Sequence, residues 1–166
     1  SSHNRLFLIE VMGRDAGAIA LNSGIGAGAE EILIPEEDHG IDRLLESLRI
    51  SKKSGKTSNI IVVSEGFKSG KNIFELAEYI GENLDNYDIR VSVLGHIQRG
   101  GSPSCFDRVL ASKLGVGAVD AILEGERKIM IGIYHQKVVR VSLEAGIKGD
   151  SKYNKELRRV ANITSV

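Results

Sequence analysis

The sequence predicts an α/β fold, a parallel sheet flanked by helices, and two patterns carry that prediction. Short, continuous apolar runs ("RLFLIEVM", "EEILIPEE", "NIIVVSEGF" and "DIRVSVLGH") alternate with stretches of helical period. Strands covered on both faces read as such runs rather than as alternating apolar and polar residues. The links between them are short, as β–α–β crossovers require. Four such alternations make a three-layer, Rossmann-like arrangement, whose ligands sit beyond the carboxyl ends of the strands.

Element by element, residues 5–12 read as a buried strand, and 15–27 as an Ala-rich helix that stops in glycines. Residues 30–37 form a second strand, closed by Pro35. Over 40–53 a helix places Ile41, Leu44, Leu45 and Leu48 on one face. A strand at 59–67 leads to a helix at 72–84, and a fourth strand covers 88–96. A long helix near 103–124 follows, then strand-like runs at 128–134 and 137–142, and a short helix at 152–162.

Bulk properties narrow the function. The 166 residues carry 22 basic and 22 acidic side chains, so no global field recommends nucleic acid or an anionic membrane as partner. Any anion must be caught by a local cluster. Trp is absent and aromatics are 5%, too few for a base-stacking platform. The one cysteine, Cys105, allows no internal disulfide, and a reducing cytoplasm is the simplest compartment. No apolar run is long enough to span a membrane, and no charged-then-apolar leader is visible. The chain starts "SSHNRLFLIEVM", without an initiator Met, and enters a strand within four residues. It reads as a piece cut from inside a longer protein.

Two phosphate-like motifs fail on context. "GIGAG" (24–28) resembles half of a dinucleotide fingerprint, but it closes a helix and opens a strand, the reverse of the required order. "SGKT" (54–57) resembles the end of a P-loop, but Ile50 stands where the first glycine belongs, and a strand follows rather than a helix. "LDNYD" (84–88) is ordinary turn chemistry at a helix end.

Three other polar segments survive: "MGR" (12–14), "SEGF" (64–67) and "GHIQRGG" (95–101). All fall at strand ends, so the fold gathers them on one rim. Paired Gly100 and Gly101 admit backbone N–H groups close to an anion, and Arg99 offers a planar fork for phosphate oxygens, with His96 beside it. His96 as a structural histidine and Arg99 as a solvated one are the bland alternatives. Glu65, at the end of a buried strand, is either a rim carboxylate or an acceptor for ligand hydroxyls. Arg5 and Arg90 lie in apolar strands, as edge charges against aggregation or as phosphate partners across a subunit interface. The helix that follows Gly13 would favour a negative ligand at its N-terminus.

Taken together, "EVMGRDAG", "SEGF" and "VLGHIQRGGSPSCFDRVLAS" closely resemble the phosphofructokinase family, over nearly the whole chain. The resemblance implies that Met12, Gly13, Arg14, Glu65, His96, Ile97, Gln98 and Arg99 line a fructose 6-phosphate site. Arg5 and Arg90 resemble the arginines that reach the 6-phosphate from a neighbouring subunit. It implies a homo-oligomer, tetrameric in full-length members, and interfacial effector sites for ADP and phosphoenolpyruvate. Gly28, Ala29, Glu30, Lys56, Thr57 and Ser58 match those effector contacts, although Ser54 replaces a basic residue there.

The family's glycine-rich nucleotide loop and catalytic aspartate have no counterpart in the sequence, so the resemblance places the ATP and Mg2+ sites outside it. It implies the acceptor half of an ATP-dependent 6-phosphofructokinase, inactive alone, with residues 1–97 and 149–166 in the sugar lobe. Residues 98–148 are then expected to pack on the nucleotide lobe, and the 103–124 helix to expose an apolar face. A pyrophosphate-dependent relative and a non-catalytic sugar-phosphate-binding regulatory domain are the alternatives.

Overall fold

The computed structural model describes residues 4–37, 41–56, 58–85, 87–148 and 155–164. They cluster into two compact units, one running to Arg99 and including the last helix, the other starting at Gly100.

The first unit is a four-stranded parallel sheet between helices. Its elements are β1 (Asn4–Val11), α1 (Ala18–Ala27), β2 (Glu31–Leu33), α2 (Ile41–Lys53), β3 (Ser58–Ser64), α3 (Ile73–Asn83) and β4 (Tyr87–Val93), with the last helix at Lys155–Thr164. The strand order is β2-β3-β1-β4. Strand periodicity sorts the apolar side chains to two faces. Leu6, Leu8, Ile61 and Val63 meet Leu44, Leu45 and Leu48 of α2 and Leu76 and Ile80 of α3. Val11, Ile32 and Val62 turn the other way, against Ala20 and Leu21 of α1 and Ala161 of the last helix.

Several elements are shorter than the sequence suggests. α1 starts at Ala18 rather than at 15, because Arg14 takes a φ of 50° and Ala16 N–H donates to Gly13 O in a tight turn. β2 stops at Leu33, just before Pro35. β4 ends at Val93, and Gly95–Arg99 coils into a 3-10 turn instead of continuing the strand.

The last helix is held by an arginine. Arg158 is only 4% exposed. Its guanidinium donates to Ile32 O at 3.0 Å and to Glu37 Oε1 at 3.1 Å, and also pairs with Glu31. A buried arginine that satisfies a strand carbonyl and two carboxylates tolerates no loss of one partner.

In the second unit, α4 (Cys105–Leu123) lies on the antiparallel hairpin of β5 (Ile129–Tyr134) and β6 (Lys137–Ser142). Ser104 and Asp107 form a reciprocal cap at its start. Gly117 lets the helix approach, since a Cβ there would sit 2.8 Å from Val138 Cγ1. α4 leaves Phe106, Ile122 and Leu123 over 70% exposed. A short α5 (Leu143–Lys148), not expected from the sequence, follows β6 directly. The hairpin turn puts His135 and Gln136 at φ of 46° and 63°, a conformation suited to Asn-Gly.

Two stability measurements check this packing. Arg158→Met is expected to cost about 3 kcal/mol by leaving Glu31 and Glu37 half-buried without this cation. A shift of the denaturant midpoint worth under about 1 kcal/mol would show that the network contributes little net. Replacing His135-Gln136 by Asn-Gly is expected to stabilise the hairpin by about 1 kcal/mol, read as slower amide exchange across β5 and β6.

Candidate functional site

The site forms where β1 leaves the sheet. β1 feeds α1 on one face and β3 feeds α3 on the other, so their loops part at the carboxyl ends, where ligands of such sheets sit. The last backbone rungs are Glu65 N–H to Val11 O at 2.9 Å and Leu94 N–H to Glu10 O at 3.1 Å. Beyond them β3 and β4 turn away, and side chains continue the ladder. Gln98 Oε1 accepts from Met12 N–H at 2.8 Å, in the place a β4 carbonyl would take. Glu65 Oε1 accepts from Gly13 N–H at 3.1 Å and Arg14 N–H at 2.7 Å. Two glycines permit this closeness: a Cβ on Gly66 would meet Arg14 O at 1.8 Å, and one on Gly13 would meet Ala16 O at 2.3 Å.

The rim is electrostatically graded. Backbone donation from Arg14 and then Gly13 holds the Glu65 carboxyl below its ordinary value, desolvation opposes this, and the charges of Arg99 and Arg14 add to the lowering. Glu65 is exposed, and its two hydrogen bonds among the described residues both go to Oε1. Glu10, half-buried in β1, moves the other way: burial first, then the Glu65 charge, raises its carboxyl. Two neighbouring carboxylates pushed apart in this way mark a site candidate. The 3-10 turn presents His96, Ile97 and Arg99 near the surface and folds Gln98 back toward the loop. The structure therefore brings together Met12, Gly13, Arg14, Glu65, Gln98 and Arg99.

Arg5 and Arg90 stand elsewhere. Arg5 is opposite Asp88, and Phe7 opposite Arg90, so in-register pairing puts both arginines on one sheet face. Both are exposed, and Arg90 pairs with Asp88 at 3.0 Å. Arg5 lies seven residues before Met12, roughly 23 Å along the strand.

Glu30 and Lys56, among the residues matched to effector contacts, are already engaged. Gly28 ends α1 in the left-handed conformation (φ 66°), so "GIGAG" is a helix stop. Ala29 is buried, and so is Glu30, which pairs with Lys56 at 3.0 Å and accepts from Ile60 N–H through its other oxygen. Ser58 starts β3, and Thr57 lies outside the described residues. The N-terminus of α1, expected to await an anion, already has one: both Glu36 oxygens accept from Gly17 N–H. Sequence reasoning missed Glu36 and Glu10, the latter signalled only by a lone carboxylate inside an apolar strand. Among the described residues no His, Cys, Asp and Glu cluster could hold a metal ion, and no helix is long and apolar enough to cross a membrane.

The family model for phosphofructokinase matches residues 1–122. The chain belongs to the phosphofructokinase family. It is 44% identical over its full length to ATP-dependent 6-phosphofructokinase 2 of Bacteroides thetaiotaomicron, and 45% identical to ATP-dependent 6-phosphofructokinase of Listeria welshimeri. It spans about half of each, 51% of their length. Among solved structures, Pichia pastoris phosphofructokinase in the T-state superposes with a TM-score of 0.82 at 32% identity, over 99% of this chain and 18% of that one. A pyrophosphate-dependent phosphofructokinase from Marinobacter aquaeolei shares the fold, with a TM-score of 0.73 at 21% identity over 97% of this chain and 48% of that one.

The Glu65 clamp has a definite pH signature. A carboxyl lowered in the folded state contributes its full stabilisation above its unfolded pKa, and loses it as pH falls through the folded value. The Gly13 and Arg14 amide resonances are therefore expected to titrate together below pH 4.5, the ordinary value for this group. In Glu65→Gln, which keeps an acceptor oxygen but no charge, that titration is expected to vanish. Its persistence would assign the effect to another group.

Proposed function

We propose that this phosphofructokinase chain holds the acceptor substrate of an ATP-dependent 6-phosphofructokinase, a phosphotransferase that phosphorylates fructose 6-phosphate at O1 to give fructose 1,6-bisphosphate. The observation that carries the reading is the Glu65 carboxylate, anchored to the loop through Oε1, with Oε2 left for a ligand and the charges of Arg14 and Arg99 close by. A sugar phosphate needs a hydroxyl acceptor and a cationic phosphate grip within one molecule's length, and this rim offers both. In this reading Glu65 Oε2 and the Met12–Gly13–Arg14 loop take sugar hydroxyls, while His96 and Arg99 take the 6-phosphate.

Arg5 and Arg90 act on the phosphate of a neighbouring copy, in a homo-oligomer. The distance of Arg5 from its own rim favours that role, since no arginine side chain reaches from the start of β1 to its end. ATP is preferred to pyrophosphate because the relatives at 44% and 45% identity are named ATP-dependent. Mg2+ and ATP are assigned to the part of those relatives that this chain does not span. Residues 98–148 are read as packing on that same part, through the exposed face of α4. An effector at Gly28 to Ser58 would first have to part Glu30 from Lys56.

Calorimetric titration of the chain with fructose 6-phosphate, with fructose as control, tests the reading. Binding that requires the phosphate is expected, and Arg99→Ala should weaken it by about 1.5 kcal/mol, roughly tenfold. Equal binding of fructose, or unchanged affinity in Arg99→Ala, would remove the phosphate grip from this turn.

A further inference from the structure

The family resemblance places Gln98 among residues that touch substrate, but its geometry points to another task. Its side chain is half-buried, whereas Arg99 beside it is exposed. Its Oε1 is committed to Met12 N–H at 2.8 Å, across 86 residues of sequence. That N–H is the first donor of β1 that β4 can no longer satisfy, since the backbone ladder between them ends at Leu94 N–H to Glu10 O. The bond joins the turn that carries His96 and Arg99 to the loop whose next two donors are held by Glu65.

We propose that Gln98 is a positioning residue that locks the Met12–Gly13–Arg14 loop to the Gly95–Arg99 turn, so that the phosphate grip and the sugar-lining loop move as one. The lock is a feature of the fold, and its consequence for binding rests on the acceptor-site reading above. A side-chain acceptor suits this place better than a strand carbonyl. It bridges the gap after the strands part, and it leaves the turn free to coil and face the ligand. The loop then has a separate hold from each neighbouring strand end: Gln98 on Met12, and Glu65 on Gly13 and Arg14.

The test uses the full chain and amide hydrogen exchange followed by NMR, with inorganic phosphate as the probe of the turn. In Gln98→Ala, Met12 N–H is expected to exchange roughly three- to tenfold faster, the effect of one lost hydrogen bond. Gly13 and Arg14, still held by Glu65, should change less. Gln98→Glu, which keeps an acceptor oxygen, should restore the Met12 protection. Phosphate should shift the amides of both the turn and the loop in the wild type, but only those of the turn in Gln98→Ala. Unchanged Met12 exchange in a Gln98→Ala chain with a wild-type melting curve would overturn the lock. So would loop shifts that persist with phosphate in that variant. If the wild type binds neither phosphate nor fructose 6-phosphate, the acceptor-site reading fails, while Met12 exchange still decides whether Gln98 locks the loop.

Discussion

Backbone donors at the end of a central parallel strand must be satisfied after its neighbours have turned away. β1 lies between β3 and β4, and its chain must leave the sheet through Met12, Gly13 and Arg14. Three consecutive N–H groups emerge there with no strand carbonyl to receive them, and leaving the part-buried one on Met12 unpaired would cost more than most single contacts return. The fold answers with two side chains, Gln98 from the β4 side and Glu65 from the β3 side. Much else at this rim follows. Gly66 must lack a side chain because Arg14 O fills the space, and Gly13 must lack one because Ala16 O does. β4 must end at Val93 so that the turn can carry Gln98 back. α1 must start late, at Ala18, because the loop takes up the residues before it.

Choosing a carboxylate for one of these acceptors sets the electrostatics of the rim. An amide would serve Gly13 and Arg14 as well in geometry, but it would bring no charge. Glu65 brings a charge that the two N–H dipoles keep ionised, with Arg99 and Arg14 assisting. It also pushes protons toward Glu10, whose carboxyl sits in a less polar place on β1. A chain with no net charge thereby acquires a strongly structured local field. α1 follows the same logic: Glu36 satisfies Gly17 N–H from within the chain, which leaves the β1 loop, not the helix end, as the candidate ligand surface.

The sequence reveals what depends on period and leaves hidden what depends on register. Leu6 and Leu8 against Val11, or Ile61 and Val63 against Val62, are strand arithmetic, and so the sheet and its helices could be read from spacing. The rim residues Arg14, Glu65 and Arg99 were readable for a related reason: in any parallel sheet the polar residues after each strand share one edge. Gln98 was visible only as part of a motif, because its bond to Met12 depends on how two strands far apart in sequence end beside each other. Glu36 and Arg158 were invisible for the same reason. Each is a charged residue in an ordinary-looking segment, and its partner is fixed only once α1, β2 and the last helix have packed. The 3-10 turn and α5 are too short to show a period at all.

Arg5 and Arg90 show how far topology alone can carry a functional argument. A residue early in β1 cannot serve a site at the carboxyl end of the same strand. Side chains extend sideways from a strand, and strand length separates the two places. Yet both arginines share one sheet face on neighbouring strands, exposed beside Asp88. On that face the apolar cluster against α1 and the last helix takes up Ile9 and Val11, further along β1. Cations on a sheet face cost little only while they stay solvated or meet an anion. If a second copy covers that end of the face, Arg90 keeps Asp88 but Arg5 needs an anion from the covering surface, and the proposed 6-phosphate on its rim is one that arrives only with substrate. Assembly and substrate binding would then be linked through that side chain, each strengthening the other by the same factor.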